Sequence, residues 1–184
     1  MRIISGKHKS RHLLTLDGLD TRPMTDRMKE SLFNIIGPYF DGDIVLDLFG
    51  GSGALSLEAL SRGASYAYIV EKSRDAMNII RKNVTSLQQL NNTQLLNVDY
   101  KVALNKFKND QIKFDIVFLD PPYKLNIMDE LIEFLLTNDL LKDNAIIACQ
   151  YVSGNYKPND RFTDELKVLK NFNYGVSELC IYQK

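Results

Sequence analysis

From residue 44 to residue 150, short apolar runs alternate with stretches whose apolar residues recur at helical spacing, and this alternation restricts the fold more than any other feature of the chain. Strands joined through helices run parallel, because each helix carries the chain back to the edge where the next strand starts. Ile44-Val45-Leu46-Asp47-Leu48 reads as a buried strand and Gly53–Arg62 as a helix. Tyr66–Val70 is the next strand, and the helix from Ser73 carries Ala76, Ile79, Ile80, Val84 and Leu87 on one face. A weaker strand over Gln94–Val98 precedes a short helix at Tyr100–Phe107. The strand Phe114–Leu119, the helix Met128–Leu136 and the strand Ala145–Gln150 follow. Upstream, Arg2–Ser5 and His12–Leu16 flank a Gly- and Lys-containing connection and read as a hairpin. Thr25 or Asp26 caps a helix with Met28, Leu32, Ile35, Ile36 and Tyr39 at helical spacing, which Gly37 and Pro38 end. Downstream, Leu166–Lys170 and Val176–Tyr182 read as a closing strand pair. The pattern predicts an α/β fold: a mainly parallel sheet with an antiparallel carboxyl-terminal edge and an amino-terminal hairpin extension.

At 184 residues the chain fits one domain, 1–184, with residues 1–20 as its hairpin arm, and it is long enough to bury roughly 70% of its unfolded surface. Basic and acidic residues balance at 23 each, so the molecule as a whole shows no preference for a polyanion. The first twelve residues do: they hold Arg2, Lys7, Lys9 and Arg11, with His8 and His12 and no acid. Met1–Gly6 lacks the long apolar segment of a signal peptide, and no run approaches membrane-spanning length, so a cytoplasmic protein with no membrane partner is expected. Cys149 and Cys180 read as buried reduced thiols. With two histidines, both in the basic arm, no metal site is expected.

Chemistry-bearing residues gather at strand ends. Asp47-Leu48-Phe49-Gly50-Gly51-Ser52-Gly53 follows the first strand and opens a helix. Its glycines let the backbone turn tightly and approach a ligand. No Gly-Lys-Ser/Thr follows, which excludes a P-loop, and Ser56 stands where a dinucleotide fingerprint has its third glycine. Glu71 closes the second strand, where an acid can accept hydrogen bonds from ribose hydroxyls. Asp99 follows the third; it suits an adenine amine or the cap of the next helix equally. A nucleoside cofactor bearing an amino-acid moiety fits these parts better than one bearing a pyrophosphate.

Asp120-Pro121-Pro122-Tyr123 follows the strand Phe114–Leu119. The two prolines narrow the loop's backbone options in advance. Asp120, an ordinary carboxylate ionised at pH 7, and the Pro121 carbonyl can together accept hydrogen bonds from one amino group on a nucleobase. Two acceptors stabilise positive charge as a bond forms to an incoming methyl. Tyr123 would stack on the base, worth roughly 1–3 kcal/mol.

These two motifs resemble motifs I and IV of the amino-group methyltransferases that use S-adenosylmethionine. More narrowly, nearly the whole chain resembles the bacterial 16S rRNA guanine-N2 methyltransferase family called RsmD. The carriers are Arg2–Gly6, Arg22-Pro23-Met24-Thr25-Asp26-Arg27, Asp47 through Leu55, Glu58–Ala64, Asp120–Tyr123 and Ile181–Lys184. The departures are Gly50 where Ala is familiar and Met24 where Thr is. The resemblance implies a Rossmann-like methyltransferase fold with a seven-stranded sheet. It implies that Asp47, Gly51 and Gly53, with Phe49 and Ser52 in the same motif, cradle the methionine part of S-adenosylmethionine. Glu71 would take the ribose and Asp99 the adenine side, while Asp120, Pro121, Pro122 and Tyr123 would hold the guanine amine.

The partner implied is 16S rRNA or a small-subunit assembly intermediate, met by a monomer. Arg2, Lys7, Lys9 and Arg11 could neutralise its phosphates, and all four together would give a salt slope of about −3 in log K. Arg22 and Arg27 flank a helix start that favours anions, or serve as surface arginines at a helix entry. The target base must be unpaired or flipped. Two rivals are a DNA adenine-N6 or cytosine-N4 methyltransferase and a noncatalytic rRNA-binding assembly factor. The first is disfavoured by the absence of a target-recognition domain and the second by the intact motifs. A nicotinamide oxidoreductase fits worse, given the incomplete fingerprint.

Overall fold

The computed structural model describes residues 1–16, 24–122, 125–156, 158 and 160–184. These form a seven-stranded sheet with helices on both faces. In chain order the elements are α1 (Asp26–Ile36), β1 (Ile44–Asp47), α2 (Ala54–Ser61), β2 (Tyr66–Val70), α3 (Arg74–Ser86), β3 (Thr93–Leu96), α4 (Tyr100–Asn109), β4 (Phe114–Leu119), α5 (Met128–Thr137), β5 (Leu141–Val152), β6 (Lys167–Asn173) and β7 (Ser177–Gln183). The strand order is β3-β2-β1-β4-β5-β7-β6. The first five strands are mutually parallel, and β7 pairs antiparallel with both β5 and β6. The expected architecture is therefore the observed one. No helix among the described residues is long and apolar enough to cross a membrane.

Alternate residues of each strand feed two cores, as a strand's period of two requires. Val45, Ile69, Ile116, Phe118 and Ala148 pack with α1, α2, α3 and the arm residues Ile3 and Leu13. Leu46, Val70, Val117, Leu119, Ile147 and Cys149 pack with α4 and α5. Cys149 and Cys180, distant in sequence, are direct partners across β5 and β7, both buried and both free thiols.

Several boundaries differ from the sequence expectations. β3 stops at Leu96 rather than Val98, because the chain turns out of the sheet to put Asp99 at the cap of α4. β5 begins at Leu141, four residues early, and a register shift between Phe114 and Ile116 absorbs its extra length. Tyr39 lies beyond α1, which Gly37 ends at φ 133°, and is exposed. The arm is a short hairpin: Arg2 and His12 form an antiparallel bridge, the Ile3 amide donates to the Arg11 carbonyl at 2.9 Å and the Leu13 amide to the Met1 carbonyl at 3.0 Å. Other backbone donors of the arm dock it on α2: Ile4 and Ser5 donate to Glu58, Lys7 to the Ser61 carbonyl and His8 to Ser61 Oγ. At Gly6 (φ 83°) a Cβ would lie 1.8 Å from the Ser61 carbonyl oxygen, so only glycine permits this docking.

Glu58 organises that side of the molecule. Its carboxylate, fully buried on α2, meets Lys29 Nζ of α1 at 3.2 Å and Arg62 Nε at 2.7 Å. It also accepts from the amides of Ile4 (2.8 Å) and Ser5 (3.0 Å). Lys29 donates in addition to the Arg2 carbonyl, and Arg62 lies over the Phe33 ring at 4.7 Å. Burial pulls the Lys29 ammonium below its usual value, and the neighbouring Glu58 charge works against that pull. One carboxylate thus joins arm, α1 and α2, with every oxygen occupied. Removing one partner of a buried ion pair strands the other, at about 3–5 kcal/mol. Glu58→Gln should lose that much in urea unfolding. Adding Lys29→Met to the same chain should return part of it, as two coupled sites do; strict additivity would contradict the network.

Candidate functional site

The loop after β1 is held from three sides. The Gly50 amide donates to the Val70 carbonyl at 2.8 Å, and Asn83 of α3 donates through Nδ2 to the Ser52 carbonyl at 2.9 Å. The Gly51 amide donates to Glu71 Oε2 at 3.0 Å. Gly51 and Gly53 have φ of 56° and 77°, conformations that favour glycine, and a Cβ at Gly51 would project into open space. Gly50 packs closely for a different reason: a Cβ there would lie 2.6 Å from Ile69 Cγ2, so the alanine familiar at this place requires that side chain to shift. Glu71 also accepts from the Ser73 amide through Oε1 at 2.7 Å, so it clamps the loop to the amino end of α3.

Asp47 lies beneath this loop, 3% exposed. It accepts from Ser56 Oγ at 3.1 Å, and Ser56 is itself fully buried. The missing third glycine therefore has a purpose: its place holds the hydroxyl that partners Asp47. Asp47 supports the loop from below and does not line the cleft above it.

That cleft, of about 380 Å³, runs along the carboxyl edge of the sheet. Leu48, Phe49, Val98, Pro122 and Leu125 give it apolar walls, while Glu71, Asp99 and Asp120 supply carboxylates. Phe49 packs on Tyr100 with ring centroids 5.4 Å apart. Asp99 has the cap role, and its place in the cleft leaves the adenine role open to it. It caps α4 by accepting from the Lys101 amide at 3.0 Å, and it lines the cleft. That amide and the Lys72 ammonium hold its carboxyl below the usual range. Lys72, Ser73 and Tyr100 also line the cleft and were not singled out from sequence. Each directly follows an acidic strand end or its neighbour, which is the signal that could have found them.

Asp120 departs from its expected ordinary titration. Its surface is partly open to the cleft, yet its carboxyl is pushed up to about 7, first by burial and then by the charge of Asp47. Asp47 is likewise raised to about 7, by burial foremost, with the Ser56 hydroxyl bond opposing the rise and the Glu71 charge adding to it. The two acids end or follow adjacent strands, β1 and β4, which brings the Asp47 charge close enough to act on Asp120. Pro121 is buried and Pro122 exposed, with the Leu125 amide donating to the Pro122 carbonyl at 2.8 Å. Tyr123 lies outside the described residues.

The basic candidates are dispersed. Arg2 pairs with Asp26 at 3.0 Å, beside the start of α1. Lys7 and Lys9 are exposed at the tip of the arm, which docks on Ser61 at the far end of α2 from the glycine loop, about 12 Å along that helix. The structure does not bring them to the cleft. Arg11 reaches the Ser86 carbonyl at 3.0 Å. Arg27 lines a separate groove between α1 and the β6–β7 turn. Arg22 lies outside the described residues. No group of acids, histidines and cysteines among the described residues could hold a metal ion.

The raised value of Asp120 fixes a stability signature. Its folded value near 7 lies above the ordinary 3.8, so the cost of ionising it is absent below about pH 4, grows as pH rises toward 7 and is constant above. Asp120→Asn should match the wild type in thermal unfolding at pH 4 and exceed it at pH 8, by roughly 2–8 °C. An equal shift at both pH values would remove the burial account.

Comparison with known proteins gives a consistent family assignment. Residues 1–183 match the family model described as conserved hypothetical protein 95. The chain is 38% identical to ribosomal RNA small subunit methyltransferase D of Haemophilus influenzae, over 100% of this chain and 93% of the relative. It is 36% identical to YlbH of Bacillus subtilis, over 100% of this chain and 99% of that protein. The solved structure of yhhF from Escherichia coli superposes with a TM-score of 0.87 at 34% identity, covering 100% of this chain and 97% of that one.

Proposed function

The chain belongs to the conserved hypothetical protein 95 family, that of RsmD, and on that premise we propose that it transfers a methyl group from S-adenosylmethionine to the exocyclic N2 amine of a guanine in 16S rRNA. The observation that carries the reading is the single cleft into which Glu71, Asp99 and Asp120 all project, with the glycine loop on its wall. The residues present fit the cofactor. Apolar walls at Phe49, Val98 and Leu125 suit the faces of an adenine, and Glu71 and Asp99 are acceptors for ribose hydroxyls and an amine. The open space beside Gly51 suits the amino-acid part, with Ser52 and Gly53 completing the turn and Asp47 bracing it through Ser56. Bound S-adenosylmethionine supplies an electrophilic methyl on a sulfonium.

The chain's own residues do the rest. Asp120 and the Pro121 carbonyl accept hydrogen bonds from the guanine amine, orienting its nitrogen toward the donor. As that nitrogen gains the methyl it gains positive charge, and one of its two protons passes to an Asp120 oxygen. A carboxylate with a value near 7 takes that proton more readily than an ordinary one. Pro122 stiffens the loop and Tyr123 stacks on the base. Arg2, Arg11, Arg22 and Arg27 contact RNA phosphates near α1 and the arm, while Lys7 and Lys9 reach phosphates farther from the target. A 16S rRNA or small-subunit assembly intermediate as substrate implies a cytoplasmic enzyme, working as a monomer with 1–184 as one domain.

Mapping rRNA methylation in a deletion strain against its parent should reveal one missing N2-methylguanine in 16S rRNA. Transfer to duplex DNA in place of rRNA would sink the reading. Asp120→Ala should lower transfer by at least 10²-fold while calorimetry shows the cofactor still bound. For the wild type, kcat/KM should rise with pH through about 7, since the ionised form of Asp120 is the acceptor. A flat profile would remove Asp120 from the proton path.

A further inference from the structure

Gln150 is a polar residue where the fold has no use for one. It lies near the carboxyl end of β5, 2% exposed, on the strand beside the one that delivers Asp120. The register Leu119 to Cys149 places it next to Asp120 across the β4–β5 pair. Its Oε1 is buried and has no hydrogen-bond partner among the described residues. Buried acceptors are nearly always satisfied, and an orphan destabilises the fold, whereas leucine or methionine would fill the position without that cost.

Two cavities meet at this side chain. One, of about 390 Å³, is bounded by Pro121, Leu125, Tyr151 and Tyr156. The other, of about 750 Å³, lies between Thr25 and Arg27 of α1 and the β6–β7 turn, where Phe172 and Tyr174 stand. Gln150 is a wall common to both. It therefore borders the space beside Pro121 and also an open approach from the surface.

We propose that Gln150 selects the target base, with its Oε1 accepting a hydrogen bond from the ring N1–H of the guanine whose N2 amine Asp120 holds. This deepens the reading above and rests on it. Guanine carries N1–H and the N2 amine side by side, two donors on one edge. Adjacent parallel strands deliver two acceptors side by side, about 4.8 Å apart at the backbone. Adenine and cytosine present a ring nitrogen acceptor beside their amine, which would face Oε1 acceptor to acceptor. A site built to bind a substrate N–H discriminates strongly against a base that lacks it.

The test uses small-subunit particles reconstituted with 16S rRNA that carries, at the mapped nucleotide, either guanine or 2-aminopurine, which keeps the 2-amine and has no N1–H. Wild-type enzyme should show kcat/KM about tenfold or more in favour of guanine, the worth of one hydrogen bond to a buried acceptor. Gln150→Leu should lose that margin through a fall on guanine alone, leaving 2-aminopurine transfer within about twofold. Gln150→Met should behave alike. Both variants should bind S-adenosylmethionine as the wild type does and unfold at the same or a higher temperature. A guanine preference unchanged in both variants, or an equal fall on both bases, would overturn the proposal. No transfer to guanine particles by the wild type would instead overturn the function proposed above, and this inference with it.

Discussion

The reversal of direction in the sheet at β1 is the constraint on which the rest depends. From β1 the chain steps to β2 and β3 with α2 and α3 on one face; it then returns to lay β4 and β5 on the other side of β1, with α4 and α5 on the opposite face. Loops leaving β1 and β4 must therefore diverge, and a crevice opens between them at the carboxyl edge. The glycine loop and the diproline loop are those two loops. Neither could form the cleft alone, and no other pair of neighbouring strands in this order diverges in the same way.

Buried charge is treated in two opposite ways within the molecule. Glu58 is surrounded by two cations and two amides, so its desolvation is offset and it anchors the arm and α1 to α2. Asp47 and Asp120 are desolvated with no cation beside them; the Asp47 charge adds to the rise at Asp120, and the Glu71 charge adds to the rise at Asp47. Asp47 has only the Ser56 hydroxyl and nearby amides to lean on. Such an arrangement costs stability above pH 4 and is held in place by the sheet, not by its own contacts. A positively charged sulfonium and an amine gaining charge are the partners that would relieve it. The orphaned Gln150 acceptor, next along the same edge, has the same character. Unrelieved polar groups thus cluster where a ligand of matching chemistry would enter.

Much of this was legible in the chain itself. The runs 44–48, 66–70, 94–98 and 114–119 announced parallel strands, and Asp47, Glu71, Asp99 and Asp120 stood near or just after their ends, so the three carboxylates of the cleft, Glu71, Asp99 and Asp120, and the acid beneath it were legible there. The illegible features depend on contacts between residues far apart in sequence. The two runs around a Gly- and Lys-containing connection announced the arm's hairpin, but not that Glu58 and Ser61, more than fifty residues on, take the amides of Ile4, Ser5 and His8 and so dock it on α2. Lys7 and Lys9 read as phosphate contacts because they are basic, but nothing local told that docking on Ser61 sets them at the opposite end of α2 from the glycine loop. Ser56 looked like a defect in a glycine pattern until it met Asp47.

By itself, then, the sequence determined the order and type of the elements and the residues at the strand ends, because side-chain periodicity and proline or glycine punctuation act over a few residues. The tertiary structure alone decided the ionisation of those residues and their company. Burial next to Asp47 moves Asp120 to about 7, and strand order sets Gln150 beside it. Desolvation and mutual repulsion depend on which strands become neighbours, and no local pattern encodes that.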